Sequence, residues 1–240
     1  TMRSTKPGVM EYQLDACMRY IYLNGGARDQ GYRAIIAGGP NVWYAHYNRN
    51  DRPLKEGEWV LVDCAPDYRY YTSDIGRMWP VNGTYSSLQR ELYGFVVAYH
   101  KAVLSRIRPG ATAAEIHAAA ADEMRGVTEK WTFSKPIYEA AARRMLDFTG
   151  HLSHGVGMCV HDPVDYRSRP LEMGMVFAVD PQMWIPEERL YVRVEDTVCV
   201  TADGIENYTR AAPLELDEVE QFMRGDGMVQ AFPPVPMPTV

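Results

Sequence analysis

The chain has 240 residues, a hydrophobic share of 46% and a formal net charge of −6. That length holds one large domain or two small ones, and that apolar share supports a sizeable core, which excludes disorder as the default state. Charges of both signs are spread without a Lys/Arg-rich run, no apolar stretch approaches the roughly 20 residues that cross a bilayer, and no signal peptide is visible, so neither nucleic acid nor membrane is an expected partner.

The chain opens on Thr1 to Gly8 without an initiating Met, and an upstream segment is expected. Leu14, Cys17, Met18, Ile21 and Tyr22 recur at helical spacing until Gly25 and Gly26 stop the pattern. A short apolar run, Ala34 to Ala37, precedes a turn at Gly38, Gly39 and Pro40. Trp59 to Val62, entered through Gly57, reads as a buried strand, and Tyr70 to Ile75 as its partner across the turn residues Pro66 and Asp67. Leu88, Leu92, Phe95, Val96, Tyr99 and Val103 mark a long amphipathic helix that Pro109-Gly110 ends. Thr112 and Glu115 form a capping box for a second helix through Ile116 and Met124, and a third covers Ile137 to Leu146. Strands return at Gly157 to Val160, Met175 to Val179 and Tyr191 to Val200. The tail, Phe232 to Val240, carries Pro233, Pro234, Pro236 and Pro238 and is expected to lie extended on the surface.

Helix and strands, then helices, then strands, is an α+β order without strict βαβ alternation. No repeat or linker divides residues 1–240. The cysteines at 17, 64, 159 and 199 make no metal-binding spacing and sit among apolar neighbours. Buried free thiols are expected, which fits a reducing, cytoplasmic compartment.

The chemistry concentrates at strand ends. Asp63 follows Val60-Leu61-Val62, and Asp74 sits in Thr72-Ser73-Asp74-Ile75. A hairpin would bring these carboxylates together, where they repel unless a cation lies between them; the plainer alternative is turn polarity or an ion pair with Arg77. Three of the six histidines, His151, His154 and His161, fall within eleven residues among glycines that allow close backbone approach. Asp180 follows the apolar run Met175 to Val179, and Glu195 interrupts Tyr191 to Val200. Arg193 shares a strand face with Glu195, so a structural Arg–Glu pair is the alternative there. Together, four carboxylates and a histidine beside buried strands form an oxygen-rich set with one nitrogen. That set suits Mn, Co, Fe or Zn better than Cu.

These segments resemble, in order and spacing, metallopeptidase family M24, which holds aminopeptidase P, prolidase and methionine aminopeptidase. The matches are Val62-Asp63, Ser73-Asp74-Ile75-Gly76-Arg77, Ser153-His154-Gly155-Val156-Gly157 with His161-Asp162, Gly174 to Pro181, and Arg193-Val194-Glu195-Asp196. They run through nearly the whole chain and lie nearest the proline-specific branch. The resemblance implies a pita-bread fold, a curved, mostly antiparallel sheet flanked by helices, with two divalent metal ions in its cleft. Asp63 would chelate one ion, His154 and Asp180 the other, and Asp74 and Glu195 would bridge. His46 and His161 would contact a small peptide substrate and stabilise charge, Arg193 would border it, and His151 would back the metal site; Glu195 or Asp180 would act as general base, with Glu195 favoured because its full side-chain length helps it reach. The implied reaction is hydrolysis of the N-terminal bond of Xaa-Pro peptides by a metal-bridging hydroxide. The family also implies homodimers and, in its proline-specific members, a preceding N-terminal domain.

The chain departs from the family pattern. Asp180 replaces the usual Glu and is one methylene shorter, and Gln182 replaces the Gly after Pro181. Cys64-Ala65-Pro66 replaces small residues after Asp63, and Gly76 and Met78 replace the threonines beside Arg77. Two other readings follow: a peptide- or protein-binding module on the same fold, which the Asp180 change favours, or a creatinase-like hydrolase. Metal content separates them.

Overall fold

Apolar runs in the strands and helically spaced apolar residues in the helices underlie most elements of the computed structural model, which describes residues 1–167 and 169–233. Helix α1 (Glu11–Asn24) buries Leu14, Cys17 and Met18 and ends at Gly25 and Gly26, the latter at φ +85°, where a side chain would be strained. Tyr20, Ile21 and Leu23 are each about half exposed, so the apolar stripe is buried only along the first half of the helix.

Strands β1 (Asp29–Gln30) and β2 (Ile35–Gly38) lead to β3 (Trp59–Cys64), in which every residue is buried. β4 (Pro66–Asp67) pairs with β1, while β5 (Ile75–Pro80) pairs antiparallel with β3 on the side opposite β2. The partner of β3 is thus Ile75–Pro80 rather than Tyr70 to Ile75. Arg69 and Tyr70 take positive φ and Tyr68 bridges Tyr71, so the chain is still turning where the strand was expected.

Three helices follow: α2 (Ser87–Leu104), α3 (Ala113–Thr128) and α4 (Pro136–Leu146). Ser86 with Gln89 and Thr112 with Glu115 cap α2 and α3 reciprocally. Along α2, Leu92, Phe95, Val96, Tyr99 and Val103 are fully buried as their spacing predicts, while Leu88 in the first turn is exposed. Each aliphatic or Phe side chain so buried contributes about 1.5–3 kcal/mol.

The last third holds β6 (Val176–Val179), β7 (Gln182–Ile185), β8 (Leu190–Arg193), β9 (Asp196–Val200) and β10 (Ile205–Asn207), then α5 (Leu216–Phe222) and α6 (Met228–Ala231). β9 lies between β10 and β6, and β7 pairs with β8, all antiparallel. The expected single strand from Tyr191 to Val200 breaks at Val194 and Glu195. Glu195 leaves the β7–β8 ladder and exchanges backbone hydrogen bonds with Gly76, at 2.9 and 3.1 Å. That bridge stitches the β2-β3-β5 sheet to the C-terminal strands. The expected strand at Gly157 to Val160 is a loop of bends, since Gly157 packs so tightly on Asp162 that a Cβ would lie 2.2 Å from its carboxylate. Cys17 and Cys64 are buried as expected, but Cys159 is exposed on this loop and Cys199 is only partly covered. From residue 234 onward the expected extended tail lies outside the described residues.

Candidate metal centre

The fold gathers acids from four places on one side of β3. Asp63 lies near the end of β3, opposite Gly76 in the β3–β5 register. Asp74 sits just before β5, where its backbone N–H donates to Thr197 Oγ1 at 2.7 Å and its carbonyl accepts from the same hydroxyl at 2.7 Å. Asp180 follows β6, and Glu195 occupies the break between β8 and β9. All four are buried, between 0 and 8% exposed.

Asp74, His154 and Glu195 form the tightest group, offering ligand atoms that all lie within 4.8 Å of one another. His154 Nε2 is 3.4 Å from Asp74 and 3.6 Å from Glu195. Among the described residues, neither oxygen of Glu195 has a hydrogen-bond partner; Arg193 Nη1 is 3.3 Å from Oε2, an ion pair without hydrogen-bond geometry. A buried carboxylate left so bare is costly unless a cation completes it.

Asp63 joins this group through two side chains. Arg193 forms a close ion pair with it. The Tyr32 hydroxyl lies 2.5 Å from Asp63 Oδ1 and 2.6 Å from Asp74 Oδ1. One hydroxyl carries one hydrogen, so it cannot donate to both carboxylates at once. A proton on one aspartate, or a cation between them, resolves the conflict. Burial, then repulsion from Asp63, pushes Asp74 up to about 6. Burial, then Asp74, holds Glu195 well above the usual carboxylate range. Burial opposes charge on His154, yet the Asp74 and Glu195 carboxylates push it up to about 10. The donor set therefore fits a divalent cation, which would take the place of those protons.

Asp180 stands outside the tight group. Its Oδ2 accepts from Gln182 Nε2 at 2.6 Å and lies 3.8 Å from Arg193 Nη1. Arg193 itself is buried, its guanidinium turned to Asp63, Asp180 and Glu195. Arg77 does not pair with Asp74, the alternative raised by the sequence; it salt-bridges Asp196 at 2.7 Å.

The histidines divide by position. His46 and His161 are exposed at the mouth of a cleft of about 810 Å³, their ring centroids 5.9 Å apart, and His161 packs edge-on against His154 at 4.2 Å. Burial, then the neighbouring His154 and His46, lowers the pKa of His161 and favours its neutral form. The loop carrying His46 is anchored by the buried Glu11 of α1, which accepts from Gly38 N–H at 2.8 Å, the Tyr47 hydroxyl at 2.7 Å and Arg52 N–H at 3.0 Å. His151, like Asp180, lines both the cleft and a side cavity of about 380 Å³. Its ring meets Phe148 edge-on at 5.0 Å, and its carbonyl accepts from His117 Nε2 at 2.8 Å.

Tyr32, Thr197 and Gln182 escaped the sequence reading. Tyr32 reaches the aspartates only because β2 places it beside β3, a long-range fact with no local periodicity. Gln182 carried one signal, its place where the resembled family has Gly.

A family model described as metallopeptidase family M24 matches residues 1–202. The chain is 32% identical to an Xaa-Pro aminopeptidase of Haemophilus influenzae over 240 residues, covering 92% of this chain and 55% of that protein. It is also 32% identical to an Xaa-Pro aminopeptidase of Escherichia coli, covering 92% and 54%. A structure of zinc-substituted E. coli aminopeptidase P in complex with product superposes with a TM-score of 0.81 at 31% identity, over 92% of this chain and 54% of that one. The chain spans about half the length of the curated relatives it matches. The α+β pita-bread architecture is the one these structures share with it.

Proposed function

The chain belongs to metallopeptidase family M24, and from that premise we propose that it is the catalytic part of a metal-dependent exopeptidase that removes the N-terminal residue from small peptides with proline in second position. The observation that carries this reading is the Asp74–His154–Glu195 group, its two carboxylates buried and both Glu195 oxygens lacking hydrogen-bond partners among the described residues. The similar Xaa-Pro aminopeptidases support the proline preference.

Asp63, Asp74, His154, Asp180 and Glu195 would hold two divalent ions, of Mn, Co, Zn or Fe. When bound, such ions lower the pKa of water and polarise a carbonyl. Glu195, whose longer side chain helps it reach, takes the proton of the attacking water on a carboxylate oxygen and passes it to the leaving nitrogen. His161, favoured in its neutral form, donates an N–H to the carbonyl oxygen as charge develops there. His46, at the cleft mouth, steadies the peptide on the leaving-group side. Arg193 acts on substrate through the carboxylates it fixes. His151 backs the metal site. Four free thiols fit a cytoplasmic setting, and among the described residues no helix is long and apolar enough to cross a membrane.

The test is elemental analysis of the purified protein with assays of Xaa-Pro dipeptides and tripeptides under added Mn, Co or Zn. About two ions per chain, and cleavage lost in Asp74→Ala, is the expected result. No metal and no cleavage under any supplement sinks the proposal. One ion with weak cleavage points to Asp180 as a compromised ligand, and a metal-free, inactive protein selects the binding module, the reading that the Asp180 substitution favours.

A further inference from the structure

Gln182 occupies the position where the resembled family has Gly, next but one to the short Asp180. The two are joined: Gln182 Nε2 donates to Asp180 Oδ2 at 2.6 Å. Its other amide atom, Oε1, accepts from the indole Nε1 of Trp184 at 3.2 Å. The amide orientation is set by chemistry, because an indole N–H only donates and a carboxylate only accepts. Residues 182 and 184 share a face of β7, since the strand repeats every two residues. Trp184 is itself fixed, edge-on to Trp43 at 5.3 Å and tilted on Tyr191 at 4.2 Å. Across the β7–β8 ladder, Gln182 lies opposite Arg193, whose Nη1 is 3.8 Å from the same Asp180 oxygen. Gln182 thus donates to Oδ2, with the Arg193 charge beyond hydrogen-bond distance of the same oxygen, and neither contact involves Oδ1.

We propose that Gln182 is a positioning residue: with Trp184 behind it, it fixes the carboxylate plane of Asp180 so that an aspartate can do the work of the longer glutamate. The pair Asp180 and Gln182 thereby replaces the family pair Glu and Gly as a unit. The proposal rests on the metal-site reading above. A terminal carboxylate torsion is broad and two-fold, so a short ligand without a partner would sample poor orientations. Hydrogen-bond partners of metal-ligating carboxylates typically carry ten- to hundredfold of metal affinity.

The test is calorimetric titration of the metal-free full chain with Mn²⁺ alone, alongside thermal melts of the metal-free proteins. Gln182→Met keeps the length of the side chain and removes the donor. It is expected to weaken the weaker of two Mn²⁺ sites by ten- to hundredfold, with the metal-free melting temperature unmoved. Trp184→Phe frees the amide to rotate and gives a smaller loss. The double variant Asp180→Glu with Gln182→Gly restores wild-type affinity, a rescue that a merely structural glutamine would not permit. If Gln182→Met titrates like the wild type, or the double variant binds no better than Gln182→Met, the positioning role is overturned while the metal-site reading stands. If the wild type itself takes up no Mn²⁺, both are overturned.

Discussion

Tyr32 shows how one side chain can carry two constraints at the scale of the residue. Its hydroxyl lies within 2.6 Å of carboxylates from two different segments, Asp63 and Asp74. Tyr32→Phe leaves those oxygens facing each other without a donor. Hydrogen bonds to charged groups are worth about 1.5–3 kcal/mol, so urea unfolding of the metal-free protein should show a loss of that order. Saturating divalent metal should shrink the loss, because a cation separates the carboxylates. A loss that is unchanged by metal would mean that the hydroxyl supports the backbone and not the acids.

Protonation belongs to the same scale. Asp74 is raised to about 6, Glu195 is raised well above the carboxylate range, and His154 is raised from 6.5 to about 10. All three folded values exceed their unfolded ones. The folded, metal-free protein therefore holds extra protons, and its stability falls as pH rises, for Asp74 from its ordinary value of 3.8 up to about 6 and for His154 between 6.5 and about 10, with Glu195 adding to the fall above its ordinary carboxylate range. A divalent ion must displace those protons, so metal affinity runs the other way. Binding should strengthen by about tenfold per pH unit for each proton released between pH 6 and 8. Calorimetry in buffers of differing ionisation enthalpy counts those protons directly, and a pH-independent affinity would contradict this reading of the site.

Among the elements, β5 and the β8–β9 break are set by close approach. Gly76 exchanges backbone hydrogen bonds with Glu195, and a Cβ there would lie 3.0 Å from Glu195 Cβ and 3.3 Å from its Oε2. The resembled family has Thr at this position, and here a side chain would press on Glu195, which must give by a few tenths of an ångström to admit it. Gly76→Thr should cost about 1–3 kcal/mol by overpacking, read as a lowered denaturation midpoint, and should weaken metal binding by moving Glu195. Unchanged stability would show that the strands can part without loss. The helices behave differently. The Thr112–Glu115 box and the spacing of Leu92, Phe95, Val96, Tyr99 and Val103 were legible because capping and 3.6-residue periodicity are local. The turn at Arg69 and Tyr70, the loop at Gly157 to Val160 and strand β7 were not, because each is decided by what the chain meets far away in sequence.

Across the whole molecule, the legible part of the site was the set of acids at strand ends with the histidine cluster, since burying an acid in an apolar run signals itself in sequence. The illegible part was the partnership among them: Tyr32 with two aspartates, Gln182 with Asp180, and Asp196 with Arg77. The last of these ties the two halves together. Asp196 accepts from Arg77 Nη2 at 2.7 Å and from the Thr209 hydroxyl at 2.5 Å, while its other oxygen meets His100 Nε2 of α2 at 2.8 Å. Arg77 also donates to the Glu195 carbonyl at 2.6 Å, so β5, α2 and β9 meet at one buried carboxylate. Burial opposes its charge, but the His100 contact and Arg77 hold Asp196 well below the usual carboxylate range. A depressed folded value contributes stability that is present above the unfolded value near 3.8 and is lost as pH falls below it. Removing one partner of a buried pair leaves the other charge uncompensated, which typically costs about 3–5 kcal/mol. Asp196→Asn should therefore unfold at markedly lower denaturant, and the acid limb of its stability curve should flatten relative to wild type. An Asp196→Asn protein that keeps the full acid limb would show that the two halves are held together elsewhere.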